Sequence, residues 1–151
     1  MRIGLERPDR PDVVQLVDEL DAYQKPMYPP ESHHGIDLAA LSQPNVVFAV
    51  VRDDDDRPIG CGAVVVEHDF GELKRMYLRP ANRGRGLAAA LLAFLEGHAA
   101  ARGCTRLMLE TGVRQPEALA FYRREGFAFR PPFADYADDP LSVFMEKTLA
   151  Q

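Results

Sequence analysis

The spacing of apolar residues changes along the chain and divides it into elements. Residues 2–6 set Ile3 and Leu5 between polar neighbours, the period-two pattern of a short strand. Asp9-Arg10-Pro11-Asp12 then supplies acidic capping residues and an early proline. Val13, Leu16, Val17 and Leu20 follow at helical spacing, and Pro26 closes the segment. Residues 28–35, with paired prolines and a glycine, predict an irregular loop, and residues 36–41 a second short helix. The unbroken β-branched run 46–51 predicts a buried strand. The acidic run Asp53 to Asp56 and Pro58 form a turn into its partner, residues 59–66, where Gly60 and Gly62 mark a bulge or close packing. Residues 72–78 complete the meander.

The pattern then lengthens. Leu87, Leu91, Phe94 with Leu95, and Ala99 recur at helical period over residues 87–102, and Gly103 ends the helix. Residues 107–109 predict a strand parallel to 72–78, because a helix separates the two. Gln115-Pro116 opens another helix that Gly126 closes. Residues 127–129 and 143–147 predict the last strands, with a second irregular segment, Pro131 to Pro140, between them. The order β-α-α-β-β-β-α-β-α-β-β gives an α/β class: a mixed, mostly antiparallel sheet flanked by helices.

Composition narrows the function. With 151 residues the chain is expected to form one domain, spanning 1–151. A net charge of −5 argues against general nucleic-acid binding. No apolar run approaches a membrane span and no signal-peptide core opens the chain, so a cytoplasmic location is expected. Cys61 and Cys104, in apolar or small surroundings, read as buried free thiols. His33 and His34 lack further ligands nearby and read as loop histidines, so no metal is expected. A homodimer is compatible with the sequence.

The chemistry concentrates between the strand 72–78 and the helix 87–102. Arg83-Gly84-Arg85-Gly86-Leu87-Ala88 makes a glycine-rich turn where a helix begins. Such a turn exposes unpaired first-turn N–H groups, and the helix dipole adds about half a positive charge there. The turn is therefore suited to a phosphate or pyrophosphate. Lys74, Arg75, Arg79, Arg83 and Arg85 crowd around it, which reads as a functional basic cluster. Two cofactors compete. Gly84-x-Gly86-x-x-Ala89 satisfies a relaxed dinucleotide fingerprint, with Glu110 placed as a ribose-binding acid. Against this, the turn follows a meander rather than the first strand of a βαβ unit.

A family resemblance fits better. Arg83-x-x-Gly86-x-Ala88, after Glu-Leu-Lys-Arg-Met-Tyr-Leu and before a long helix, resembles the (Gln/Arg)-x-x-Gly-x-(Gly/Ala) signature of the GNAT superfamily of acetyl-CoA-dependent N-acetyltransferases. Ala118-Leu119-Ala120-Phe121-Tyr122, running on to Gly126-Phe127, is similar to that family's second signature. The Pro-Pro-Glu-Ser, Leu-Glu-Thr-Gly and Pro-Phe-Ala-Asp-Tyr segments further resemble a small bacterial subgroup of the YsnE type.

The resemblance implies roles. Backbone amides of Arg83, Gly84, Arg85, Gly86, Leu87 and Ala88 would hold the CoA pyrophosphate. Main-chain groups of Met76, Tyr77 and Leu78 would pair with the pantetheine arm. Tyr122 would protonate the leaving thiolate, and Gln115 stands where many members carry Asn. Glu72, eleven residues before Arg83, has the spacing of the strand glutamate that some members use as general base, and Glu110 is its rival. A small primary amine, with an amino acid as one candidate, would be the acceptor. It would lie between the 28–35 and 131–140 segments, with Tyr28, Phe133 and Tyr136 as apolar walls, Glu31 and Glu110 as further substrate contacts, and Lys74 or Arg75 as a carboxylate anchor. The alternative is a non-catalytic acyl-CoA-binding or sensing domain on the same fold.

Overall fold

The computed structural model describes residues 1–32 and 36–149. Strand β1 (Arg2–Leu5) is followed by helix α1 (Pro11–Gln24) and the one-turn 3₁₀ segments Lys25–Met27 and Pro30–Ser32. Helix α2 (Leu38–Leu41) leads to β2 (Val46–Arg52), β3 (Pro58–Val66) and β4 (Phe70–Leu78). Then come α3 (Leu87–Ala101), β5 (Arg106–Gly112), α4 (Pro116–Arg124), β6 (Ala128–Arg130) and β7 (Ser142–Thr148). The sheet order is β1-β2-β3-β4-β5-β7-β6, and only β4 and β5 pair in parallel among the described strands. The expected order and class hold. His33, His34 and Gly35, read above as loop, lie outside the described residues.

The unbroken apolar run of β2 is explained by burial on both faces. Val47, Ala49 and Val51 pack with Leu87, Leu91, Leu92, Leu95 and Ala99 of α3. Phe48 and Val50 pack with Val13 and Leu16 of α1 and Leu41 of α2. A strand covered on both sides loses the polar alternation of a half-exposed one. Both cysteines are buried and free, as expected, and burial pushes the Cys61 thiol up to about 12.

Three local expectations need correction. The start of α1 has Pro11 in its first turn, but no side chain caps it. Asp9 pairs with Arg7 instead, and Asp12 with Arg52. The short helix begins at Leu38 rather than at residue 36, because Asp37 accepts the Ala40 N–H at 2.8 Å and caps it there. The bulge lies on β4 rather than on β3. Cys61 pairs with Tyr77 and Ala63 with Lys74, so Gly62 alone faces Arg75 and Met76. Arg75 takes a left-handed φ of +60°, rare for a residue with a side chain. Gly62 answers the other half of the expectation: a Cβ there would meet Met76 Sδ at 2.6 Å and Leu95 at 2.8 Å, so α3 packs hard against the sheet.

The acidic turn is solvated at its tip yet anchored at its base by Arg52, which is 1% exposed. Arg52 donates to both oxygens of Glu6 at 2.8 Å, to Asp12 at 2.9 Å and to the Asp56 carbonyl at 2.8 Å. One guanidinium thus ties β1, α1 and the β2–β3 turn together. Arg52→Met should destabilise the protein by about 2 kcal/mol, because the half-buried carboxylates of Glu6 and Asp12 lose their hydrogen bonds and counter-charge. Urea denaturation measures this. Arg52 also holds the Asp12 carboxyl below its ordinary value. A lowered folded pKa gives stability that is present above the unfolded carboxylate pKa of about 3.9 and is lost as pH falls through the folded value. Below about pH 4 the acid-side loss of Tm should therefore be shallower in Arg52→Met than in wild type.

Candidate active site

The bulge decides where the site lies. A bulge bends its strand and ends regular pairing. Strand β4 pairs with β5 only at Phe70–Arg106, Gly71–Leu107 and Glu72–Met108. Beyond Glu72 the strands part, and two clefts open in the gap. One, of about 690 Å³, lies beside the glycine turn and is lined by Met76, Tyr77, Leu78, Arg83, Gly84 and Gly86 among others. The other, of about 430 Å³, is lined by Glu72, Lys74, Glu110, Tyr28 and Tyr136 among others. Leu20, Gln24, Met76, Gln115, Ala118 and Tyr122 line both, so the clefts meet.

The glycine turn has the expected geometry. Gly84 and Gly86 take φ of +81° and +76°, and a Cβ at either would meet no protein atom within 4 Å. Gly86 is the N-cap residue of α3, and no side chain caps the helix. The first-turn N–H groups of a fifteen-residue helix therefore face an open cradle, which fits an anionic group such as a pyrophosphate. Leu87 and Ala88 line this cleft, while Arg85 is exposed beside it.

The basic cluster is less cationic than its sequence suggests. Arg75 pairs with Asp21 of α1 and donates to the Ile36 carbonyl at 2.8 Å. Arg79 pairs with Glu19 of α1 at 3.0 Å, and Lys74 with Glu72 at 3.3 Å. Arg83 lies between the Tyr23 and Tyr77 rings, 5.8 and 5.7 Å from their centroids, and its Nε donates to the Leu78 carbonyl at 3.0 Å. That carbonyl is thus already engaged, which leaves the main chain of Met76 as the more open partner for an extended ligand. The Arg79 N–H bonds back to Ile59, consistent with Leu78 turning its peptide groups to the gap.

Tyr122 sits where the clefts meet, 8% exposed, its ring edge-on to Phe121 and Phe127. Burial raises its phenol above the ordinary tyrosine value, so it stays protonated at neutral pH. Glu72, 9% exposed, lines the second cleft. Its Oε2 accepts a short hydrogen bond from Tyr136 and the ion pair from Lys74. Gln115 stands in the loop after β5, at the residue before α4, and its side chain makes no bond to that helix. Its Oε1 accepts from the Tyr28 hydroxyl at 3.4 Å and the Gly112 N–H at 3.3 Å, which keeps it at the junction.

Other expectations shift. Glu31 is exposed and lines neither cleft. Phe133 is buried one layer behind, packing with Met108 and Phe144, and supports Tyr136 rather than forming a wall. Arg75 is engaged by Asp21 and Ile36 and is no open anchor. Glu110 lines only the second cleft, away from the glycine turn, which removes the ribose-binding role of the dinucleotide reading. Sequence reasoning missed Leu20, Asp21, Gln24 and Lys25 at the end of α1, which line the second cleft. Leu20 belongs to the apolar face of α1, and nothing in the sequence of its polar face marks Asp21 or Gln24 as a site wall.

Staples close the second cleft. The Ser32 hydroxyl donates to Asp139 at 2.6 Å, the Arg114 N–H donates to the Tyr28 hydroxyl at 3.1 Å, and the Arg114 guanidinium reaches the Met27 carbonyl. Tyr28 lies so tightly on Gly112 that a Cβ there would be 1.7 Å from its hydroxyl oxygen.

Comparison with known proteins agrees with this geometry. Residues 12–127 match the profile of the acetyltransferase (GNAT) family. An IAA acetyltransferase of Azospirillum brasilense is 45% identical, with 97% of each chain covered. The uncharacterized N-acetyltransferase YsnE of Bacillus subtilis is 36% identical over 99% of this chain and 100% of its own. A solved structure from Klebsiella pneumoniae, named as a candidate acyl-CoA N-acyltransferase, is 38% identical with a TM-score of 0.84, covering 99% and 97%. The same fold at 17% identity occurs in an aminoglycoside 6'-N-acetyltransferase solved with coenzyme A, with a TM-score of 0.76 and coverage of 100% and 98%. Matched by the profile over most of its length and by relatives from end to end, the chain belongs to the GNAT family of acetyltransferases.

Proposed function

We propose that the protein moves the acetyl group of acetyl-CoA to a primary amine of a small molecule, by direct attack in a ternary complex. The observation that carries this is the meeting of the two clefts at Tyr122, with the glycine cradle at one end and Glu72 near the other. A volume of about 430 Å³ suits a small ligand, and the staples across the second cleft oppose an extended peptide. The name of the Azospirillum relative supports acetyl transfer as the reaction.

Each group has a role in this reading. The Gly84–Gly86 turn and the start of α3 bind the pyrophosphate, and the open edge of β4 at Met76 holds the pantetheine arm. Glu72 takes a proton from the incoming ammonium, directly or through water. The freed nitrogen attacks the thioester carbonyl, the C–S bond breaks, and the departing sulfur takes the Tyr122 proton. Tyr122 is reprotonated by the proton that nitrogen sheds as the amide forms. In sum, nitrogen gives up two protons: one passes by way of Tyr122 to sulfur, and the other leaves Glu72 for solvent.

The acceptor is read as amino-acid-like, with a changed anchor. Lys74 and Arg75 are both ion-paired, whereas Lys25 lines the second cleft and pairs with no carboxylate among the described residues. A carboxylate on the acceptor would meet Lys25 by a charge-assisted contact.

Three outcomes follow. Acetyl-CoA should raise the Tm of wild type, since it binds only the folded cradle, and Gly86→Val should abolish that shift while remaining folded. A retained shift in folded Gly86→Val removes the pyrophosphate assignment. Tyr122→Phe should bind acetyl-CoA normally and lose roughly 10²-fold in turnover, and Glu72→Gln should flatten the rise of rate with pH. Because burial raises Tyr122, wild type should show no alkaline loss of its proton up to about pH 9. Wild-type turnover in both variants would reject the mechanism. Lastly, replacing an amino-acid acceptor by its decarboxylated amine should raise KM about tenfold in wild type but not in Lys25→Met, as the loss of one charged contact implies. Equal KM values in wild type would discard the carboxylate anchor.

A further inference from the structure

The second cleft holds a polar triangle of which the proposed reaction uses only Glu72. The Tyr136 hydroxyl donates to Glu72 Oε2 and accepts from Lys74 Nζ at 3.0 Å, and Lys74 Nζ is 3.3 Å from the same Oε2. Both donors therefore converge on one carboxylate oxygen. Among the described residues no donor reaches Oε1. The Lys74 ammonium also lies 5.7 Å from the centre of the Tyr136 ring, so the three groups are packed as well as bonded.

The loop that brings Tyr136 here is anchored for the purpose. Phe133 is 5% exposed and holds the loop to Met108 and Phe144. The Tyr136 ring stands edge-on to Phe133 and Phe144, with centroids 5.1 and 5.4 Å away. Aromatic packing thus fixes the ring, and the ring aims its hydroxyl at β4. Two further facts decide between a wall and a support. A hydroxyl that donates to a carboxylate cannot donate the same proton to a ligand. And a carboxylate clamped at one oxygen loses rotamer freedom, leaving the other oxygen in a fixed direction.

We infer that Tyr136 is a positioning residue for Glu72: with Lys74 it clamps Oε2 so that Oε1 is presented to the acceptor ammonium. This rests on Glu72 being the general base. Burial, the bond to Glu72 and the nearby charges of Glu72 and Glu110 all raise the Tyr136 phenol, so it remains a donor throughout the working pH range. Lys74 sets a counter-charge beside the buried carboxylate.

The test is a double-mutant cycle on the full chain with Tyr136→Phe and Glu72→Gln. Thiol release from acetyl-CoA is the readout, with the L-amino acid or simple primary amine that gives the fastest release as acceptor. Phenylalanine keeps the ring packing, so the variant should fold, with Tm lower by only a few degrees for the lost hydrogen bond. Tyr136→Phe should lower kcat about tenfold, as for loss of a hydrogen bond to a charged group, with the acceptor KM little changed. In the Glu72→Gln background it should cost nothing more, because its effect passes through the carboxylate. A raised acceptor KM at unchanged kcat would make Tyr136 a binding wall, and additive losses would make it independent of Glu72. Either overturns the inference while the base assignment stands. Full kcat in Glu72→Gln would remove the base and the inference together.

Discussion

One backbone conformation carries the arrangement of the site. Arg75 adopts a left-handed φ that costs a non-glycine residue energy, and three contacts hold it there. Its guanidinium pairs with Asp21 on α1 and donates to the Ile36 carbonyl, while its own carbonyl accepts the Cys61 thiol at 3.3 Å. The extra residue bends β4 out of register with β5 after three paired positions. Without that bend the two strands could zip together, as parallel neighbours tend to do, and there would be neither an open peptide edge nor a cleft between them. The cysteine that looked inert in the sequence thus has a structural part as donor to the bulge.

The same contacts set the electrostatics. Five cations crowd β4 and the glycine turn, but α1 supplies Glu19 and Asp21 to two of them, and Glu72 neutralises a third. What remains at the turn is the backbone itself, with Arg83 held between two aromatic rings and Arg85 in solvent. Anion recognition there comes mainly from oriented N–H groups at the start of α3, which are fixed by the fold and need no reorganisation. The long helix is in turn fixed by its apolar face, where Leu91, Leu92, Leu95 and Ala99 are all nearly inaccessible.

Much of this was legible beforehand because its causes are local. The element order follows from apolar spacing, and the glycine turn from two glycines that stand at positive φ. Tyr122 and Glu72 were readable by resemblance to a family pattern. What escaped has causes distant in sequence. Nothing local distinguishes an arginine that will adopt positive φ, and Gly62 across from it drew the bulge to the wrong strand. Glu19 and Asp21 lie more than fifty positions from the arginines they meet. Phe133 and Tyr136 look alike in an irregular loop, and only the sheet beneath decides that one is buried support and the other reaches Glu72. Glu31 was placed by its loop, and loops do not fix side-chain direction.

The contact of Tyr28 with Gly112 has an evolutionary side. The phenol fills the volume that any side chain at position 112 would need, with its oxygen only 1.7 Å from an ideal Cβ. Alanine at Gly112 would push the Tyr28 ring out of its present place. Loss of the tyrosine in turn unties the hydroxyl bonds to Gln115 and Arg114. The two positions are therefore coupled in inheritance, though eighty-four residues apart along the chain: a side chain gained at 112 is accommodated most easily together with a smaller residue at 28.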